Sequence, residues 1–265
     1  MRRLYSGRRI PYWIMAALLG LLFSLAIADE IHVVSSVGFA AAYRALAPDF
    51  ERQTGHRLDI AWGPSMGETP QAIPKRLSRG ENIDVVIMVG DSLDQLIKQG
   101  KVQDADHQLL ARSRIGMAVK AGAPKPDIAT LEELKQALLT ARSIAYSDSA
   151  SGVFLSTVLF PRLGIAEQIK EKSLMVPAEP VGQVVARGEA EIGLQQVSEL
   201  LPVAGIDFAG VLPDEAQQIT PFSAGVVAGS RETTAAKALI DYLASPAAAP
   251  QIRQTGLVPA HDNLH

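Results

Sequence analysis

Residues 31–55 read IHVVSSVGFAAAYRALAPDFERQTG. Ile31 to Ser36 is a short apolar run of strand character, and Ser35-Ser36-Val37-Gly38 leads directly out of it into a helix-period stretch. There Phe39, Tyr43, Leu46 and Phe50 fall on one helix face. Pro48 inside the stretch predicts a kink or a late break. The same strand-then-helix pattern continues outward. Leu58 to Trp62 reads as a second strand and DVVIM, Asp84 to Met88, as a third that is buried on both faces. Asp91 reads as the cap of a helix from Leu93 to Lys98 that Gly100 ends.

Further along, Ile115–Val119, Ile144–Tyr146, Glu191–Gln195 and Pro221–Ala228 have strand character. Helical stretches cover Leu131–Ala141, Val153–Leu163 and Val181–Arg187, and a last helix, with Ser230 as its cap, runs through Leu239 and Leu243. Alternation of this kind argues for an α/β fold with parallel sheets covered on both faces.

Composition narrows the classes. The chain has 265 residues, 48% of them hydrophobic and 20% charged, enough to bury a full core. With no cysteine, a thiol nucleophile, a disulfide framework and a cysteine-built metal site are excluded. At the N-terminus Arg2, Arg3, Arg8 and Arg9 precede an apolar run from Ile14 to Ile27 that ends in Ala26-Ile27-Ala28. A basic start, a short apolar run and an A-x-A end read as a secretory signal over residues 1–28, cut after Ala28, which places the mature chain in the periplasm. The signal holds four Arg and no acid, so in the mature chain 21 bases face 28 acids, a net charge of −7. Nucleic-acid binding, which needs basic clustering, has no support in that balance.

Three strand ends share one chemistry: Ser35-Ser36-Val37-Gly38, Gly63-Pro64-Ser65-Met66-Gly67, and Tyr146-Ser147-Asp148-Ser149-Ala150-Ser151-Gly152. Each sets hydroxyls and small residues at a helix start or a tight loop. Backbone N–H groups there favour an anion, and hydroxyls donate to it without fixed charge. Any one such loop also reads as an ordinary cap and turn. Three of them at the carboxyl ends of strands point together to a small-anion cleft, because ligands of open α/β sheets sit there. Tyr146 and Asp148 beside the third loop are acid/base candidates, and read equally as a core tyrosine and an extra helix cap. Arg112 and Arg114, and Lys75, Arg76 and Arg79 after the second loop, are the cations within reach of a cleft; each also reads as a solvated helix-face base. His32, His56, His107, His261 and His265 form no HExxH motif, and no GxGxxG or P-loop lysine motif appears, so neither a metal nor another cofactor is expected.

The order of these motifs, with RLSRGENIDVVIMVGD, YSDSASGVFLSTVLF and VVARGEAEIGLQQVSELL, resembles the periplasmic molybdate-binding protein family, the solute-binding components of ABC importers. The resemblance covers the whole mature chain. It implies a two-lobed type II periplasmic-binding-protein fold with the ligand cleft at the hinge, lobe 1 being residues 29–113 plus 222–265 and lobe 2 residues 114–221. By position it assigns Ser36, Gly38, Ser65, Ser151, the backbone at Ala178 and Gln196 to the ligand, with Arg114 at the lobe crossover. The family serine after the first strand falls near Gly38, and the family's ligand-binding tyrosine aligns with Gln196. A tetrahedral oxyanion needs only donors, whereas an amide both donates and accepts, which argues against molybdate. The pattern GPSMG, SDSASGVFLSTVLFPRLGI and IGLQQ is similar to a side branch of the family that carries isomerases of aconitate on the binding-protein scaffold. That branch implies clamps for a tricarboxylate and a cofactor-independent allylic proton shift. Three readings stand: an isomerase of aconitate, a monomeric receptor that passes a small organic acid to an ABC permease, and a molybdate or tungstate receptor.

Overall fold

The computed structural model describes residues 28–177 and 179–263. Eleven strands form two sheets among these residues. The first sheet contains β1 (Glu30–Ser35), β2 (Arg57–Trp62), β3 (Val85–Val89), β4 (Val102–Ser113), β10 (Thr220–Val227) and β11 (Val258–Pro259), in the order β11-β4-β10-β3-β1-β2. The second contains β5 (Ile115–Lys120), β6 (Ile144–Ser147), β7 (Ser173–Val176), β8 (Ile192–Gln196) and β9 (Ile206–Val211), in the order β7-β6-β8-β5-β9. The protein is therefore a two-lobed α/β structure, and the chain crosses between the sheets at Arg114 and again between Val211 and Thr220.

Each sheet is mixed rather than parallel throughout. β1 runs parallel to β2 and β3, and β6 parallel to β7 and β8, as the strand–helix alternation requires. The strands next to the crossings run the other way: β10 is antiparallel to β3 and β4, and β5 to β8 and β9. A strand that enters a sheet from the other lobe has no crossover helix to reverse its direction, so antiparallel pairing follows.

The opening stretch folds as read. β1 passes through a 3-10 turn, Val37–Phe39, into α1 (Ala40–Thr54), whose Tyr43, Leu46 and Phe50 are buried with Phe39 in one core. Pro48 lies inside α1, which continues past it to Gly55, a residue of left-handed backbone. Helix α2 (Ile73–Ser78) follows the loop after β2. Two expected caps are corrected. Helix α3 (Gly90–Lys98) begins before Asp91, so that residue lies in the first turn, where its charge favours the helix dipole, instead of capping it. The last long helix, Thr233–Ala244, has Glu232 at its N-cap; Ser230 instead donates to the Asp84 carboxylate at 2.6 Å. Helix α4 (Leu131–Thr140) carries a complete capping box of Thr130 and Glu133, worth about 1 kcal/mol.

The second lobe packs around Ile115, Leu138, Ile144, Leu155, Phe160 and Leu194. Its serine loop is shaped by close approach. Helix α5 (Ala150–Phe154) starts so near the end of β6 that a Cβ on Gly152 would lie 1.6 Å from the Ser147 carbonyl oxygen. Only glycine fits there, and the approach folds Ser147, Ser149 and Ser151 over one point. Gly152→Ala is expected to destabilise the protein by about 1–3 kcal/mol through overpacking, read as a lower urea midpoint. An unchanged midpoint would show that the loop is free to reorganise.

Candidate functional site

The carboxyl ends of the parallel strands of both sheets face one another across the two crossings. On the first sheet, Ser36 N–H donates to the Ile87 carbonyl at 2.8 Å, and Ser65 Oγ accepts from Val89 N–H at 3.0 Å. These bonds tie the ends of β1, β2 and β3 together. On the second sheet, Ser147 Oγ shares a hydrogen bond with Ser149 Oγ at 2.7 Å and lies 3.4 Å from Ser151 Oγ. A hollow of about 260 Å³ opens beside both groups. Its walls include Met66, next to Ser65, and Ala150, next to Ser151, with Asp91, Val153 and Phe154 and the returning crossing at Gln218 to Pro221. Ser36, Ser65, Ser151 and Gln196 are all buried.

The third contact between the lobes is direct. Helix α6 (Val181–Arg187) precedes β8, and the short helix α7 (Val197–Leu200) follows it. From α7 the Ser198 hydroxyl donates to the Gly38 carbonyl at 2.8 Å, joining the loop after β1 to the loop after β8. A side chain at position 38 has no room: a Cβ on Gly38 would lie 2.2 Å from the ring of Phe222. The serine that the resemblance leads one to expect near this position has no room beside the Phe222 ring from β10. Beside this junction, Ser36 Oγ after β1 and Gln196 Oε1 at the end of β8 are buried and have no partner among the described residues. Leaving such an atom unpaired costs about 1–3 kcal/mol, so both are free to serve a ligand.

The remaining residues singled out in the sequence are placed elsewhere. Tyr146 sets its ring edge against Phe160, on the core of the second lobe, with centroids 5.8 Å apart. Asp148 is exposed, and its N–H donates to the Val176 carbonyl. Arg114 is paired with Asp214 on the returning crossing. Arg112 donates to the Ala260 carbonyl at 3.1 Å. Lys75 pairs with Glu68, Arg76 with Glu81, and Arg79 donates to the Pro70 carbonyl at 2.7 Å. Lys75, Arg76 and Arg79 brace their own loop, whereas Arg112 and Arg114 tie distant segments together. Ala178 lies outside the described residues. Among the described residues no group of three or more His, Asp or Glu side chains is arranged to hold a metal ion.

Two residues that sequence reasoning passed over complete the site. Gln195 is buried; its Oε1 accepts from the Val181 N–H at 2.9 Å and its Nε2 donates to the Glu199 carboxylate. The signal was present in IGLQQ, where two adjacent amides on an otherwise apolar strand put one polar group on each face. Glu199 is half-buried at its surface, yet burial of its carboxyl pushes it up to about 7, while the Gln195 amide draws it down. Ionising such a group costs folding stability: the contribution is complete below the ordinary value of 4.5 and is lost as pH rises through about 7. In Glu199→Gln that loss disappears. The urea midpoint of the natural protein is expected to fall relative to the variant's across this window, and parallel curves would contradict it.

Comparison with known proteins places the architecture. Residues 31–258 match the family model described as bacterial extracellular solute-binding protein. The chain is 50% identical over 254 residues to an aconitate isomerase from a Pseudomonas species, covering 95% of this chain and 97% of that protein. It is 27% identical to the molybdate-binding protein ModA of Azotobacter vinelandii, over 89% of this chain and 93% of that one. Among solved structures, the periplasmic molybdate-binding protein of Azotobacter vinelandii superposes with a TM-score of 0.69 at 21% identity, covering 86% of this chain and 98% of that one. The sulfate-binding protein SubI of Mycobacterium tuberculosis superposes with a TM-score of 0.70 at 19% identity, covering 88% of each. Two sheets joined by two crossings are the fold this chain shares with those solved structures, and the chain belongs to the bacterial extracellular solute-binding proteins.

Proposed function

We propose that this protein interconverts trans- and cis-aconitate in the periplasm, with the tricarboxylate held between the lobes. The observation that carries the reading is the 50% identity, over nearly the whole of both chains, to a protein that bears the name aconitate isomerase. The geometry supports it. The residues assigned to the ligand are the hydroxyls of Ser36, Ser65 and Ser151, the amide of Gln196 and the backbone at Gly38, and the four polar side chains are buried near the facing strand ends. Such neutral donors bind carboxylates without adding fixed charge. In the reaction a proton leaves the methylene carbon next to one carboxylate, the double bond shifts, and a proton returns at the far end of the allylic system. Negative charge develops on the flanking carboxylates meanwhile, and donors aimed at them lower that barrier. One or two acid/base groups move the proton; Tyr146 and Asp148, which flank Ser147, are the candidates on the second lobe. Arg114 stands at the crossing in an ion pair with Asp214, so ligand contact by its guanidinium would require that pair to open. Delivery follows from the N-terminal signal, cut after Ala28, and the mature protein acts as a monomer.

One observation favours a second reading, a receptor that hands a small carboxylate to an ABC permease. Tyr146 stands on the lobe core and Asp148 in solvent, so these two acid/base candidates do not converge on the cleft. Turnover separates the two. Purified mature protein is expected to convert trans-aconitate to the cis isomer, followed by ultraviolet absorbance and proton NMR. Activity should survive exhaustive EDTA treatment, and in deuterated water the product should carry deuterium if the proton-moving group exchanges with solvent. Tight aconitate binding with no turnover at high protein concentration would establish the receptor instead. Loss of activity in EDTA, restored by one metal, would overturn the cofactor-independent mechanism.

A further inference from the structure

Gln195 and Gln196 are adjacent on β8, so their side chains leave opposite faces of the strand. Gln196 is buried without a partner, whereas Gln195 has both ends of its amide engaged. Its carbonyl takes the first N–H of α6, fourteen residues earlier in the chain, and its NH₂ group is held by Glu199 on α7. The amide therefore has one orientation: a backbone N–H demands an acceptor and a carboxylate demands a donor. Three anchors fix the end of β8: Val181 through Gln195, Glu199 through Gln195, and the first lobe through Ser198.

We propose that Gln195 is a positioning residue for the ligand cleft, holding the end of β8 so that Gln196 meets the tricarboxylate, with Glu199 fixing the direction of the Gln195 amide. The proposal rests on the ligand reading given above and goes beyond it by assigning this buried pair a part in substrate affinity. Among the described residues no counter-charge competes with Gln195 for the Glu199 carboxylate. The elements packed on α7 are β5, β8, α6 and the 3-10 turn at Val37–Phe39, and their charged residues are Lys120 and Arg187. Lys120 runs along Gly188, and Arg187 is held by Glu179 and Glu189. Arg114, whose carbonyl accepts from Val197 N–H at the start of α7, has its side chain on Asp214.

The test exchanges the donor and the acceptor. In Gln195→Glu, two carboxyl groups face each other. At low pH a shared proton supplies the missing donor, and at high pH both ionise and repel. The variant's KM for trans-aconitate, and its Kd by calorimetry, should rise about tenfold or more at pH 8 and return to within about threefold of the natural protein at pH 6, with kcat changed far less. The double variant Gln195→Glu/Glu199→Gln restores one donor facing one acceptor, and should bring KM and Kd to within about threefold of the natural values at both pH values. Natural affinity in the single variant at pH 8 would overturn the proposal. A double variant that melts normally but remains tenfold weaker would also overturn it, and it decides alone if the single variant fails to fold. Failure of the aconitate reading looks different: the natural protein itself would neither bind nor turn over aconitate.

Discussion

The side-chain amide of Gln217 holds the two crossings together. It accepts from the Ile115 N–H at 2.9 Å and donates to the carbonyls of Ile115 and Leu212 at 2.8 and 2.9 Å. The Leu212 N–H returns a bond to the Ile115 carbonyl at 3.0 Å. One amide thus satisfies backbone groups of both connections where they leave their sheets, and the crossings behave as a single strap. Everything at the site depends on that strap. It sets the serine-bearing ends of β1, β2 and β3 opposite those of β6 and β8, and it brings Ser198 within reach of Gly38. It is also the place where backbone rotation would let the lobes move, as hinges between domains do.

The electrostatics of the cleft follow from where the cations are used. Arg76 and Arg79 have partners in their own loop, Arg112 is held by the Ala260 carbonyl and Arg114 by Asp214 on the returning crossing, so each is engaged within the protein. The groups proposed to meet the ligand are hydroxyl, amide and backbone. A site of this kind selects by the placement of donors, and a misplaced carboxylate gains no long-range compensation from a flexible lysine. The same logic gives the buried pair of Gln195 and Glu199 its weight: where binding relies on neutral groups, an error in direction at the end of β8 is not offset by charge.

Much of this was legible in the sequence, and the rest was not for identifiable reasons. Strand β1 and helix α1 showed because burial on one side writes a clear period into IHVVSSVGFAAAYRALAPDF. Helix α6 was read with its observed bounds, Val181–Arg187. Strand β4 was missed because its VQDADHQLLARS alternates poorly and exposes polar residues along one side; it is a strand through its pairing with β10, more than a hundred residues later. The mixed sheets escaped for the same reason, since strand direction near the crossings is a property of the whole chain path. At the site, the serine loops and Gln196 were visible as residue types at strand ends. Gln195, Ser198 and Glu199 were not singled out, because their roles exist only once α6, α7 and the loop after β1 come together. The glycine at 38 became explicable only with Phe222 beside it.

The central claim is that one small tricarboxylate sits between the lobes against Ser36 and Gln196, whose Oγ and Oε1 are among the buried side-chain atoms left without a partner within the described residues. A crystal structure of the mature protein grown with trans-aconitate tests it most directly. The account predicts ligand density in the interlobe cleft, with carboxylate oxygens accepting from Ser36 Oγ, Ser151 Oγ and the Gln196 side-chain NH₂ group, and the Ser198–Gly38 bond retained. Ligand density elsewhere on the molecule, or a cleft in which Ser36 and Gln196 stay unpaired while the ligand is bound, would contradict it.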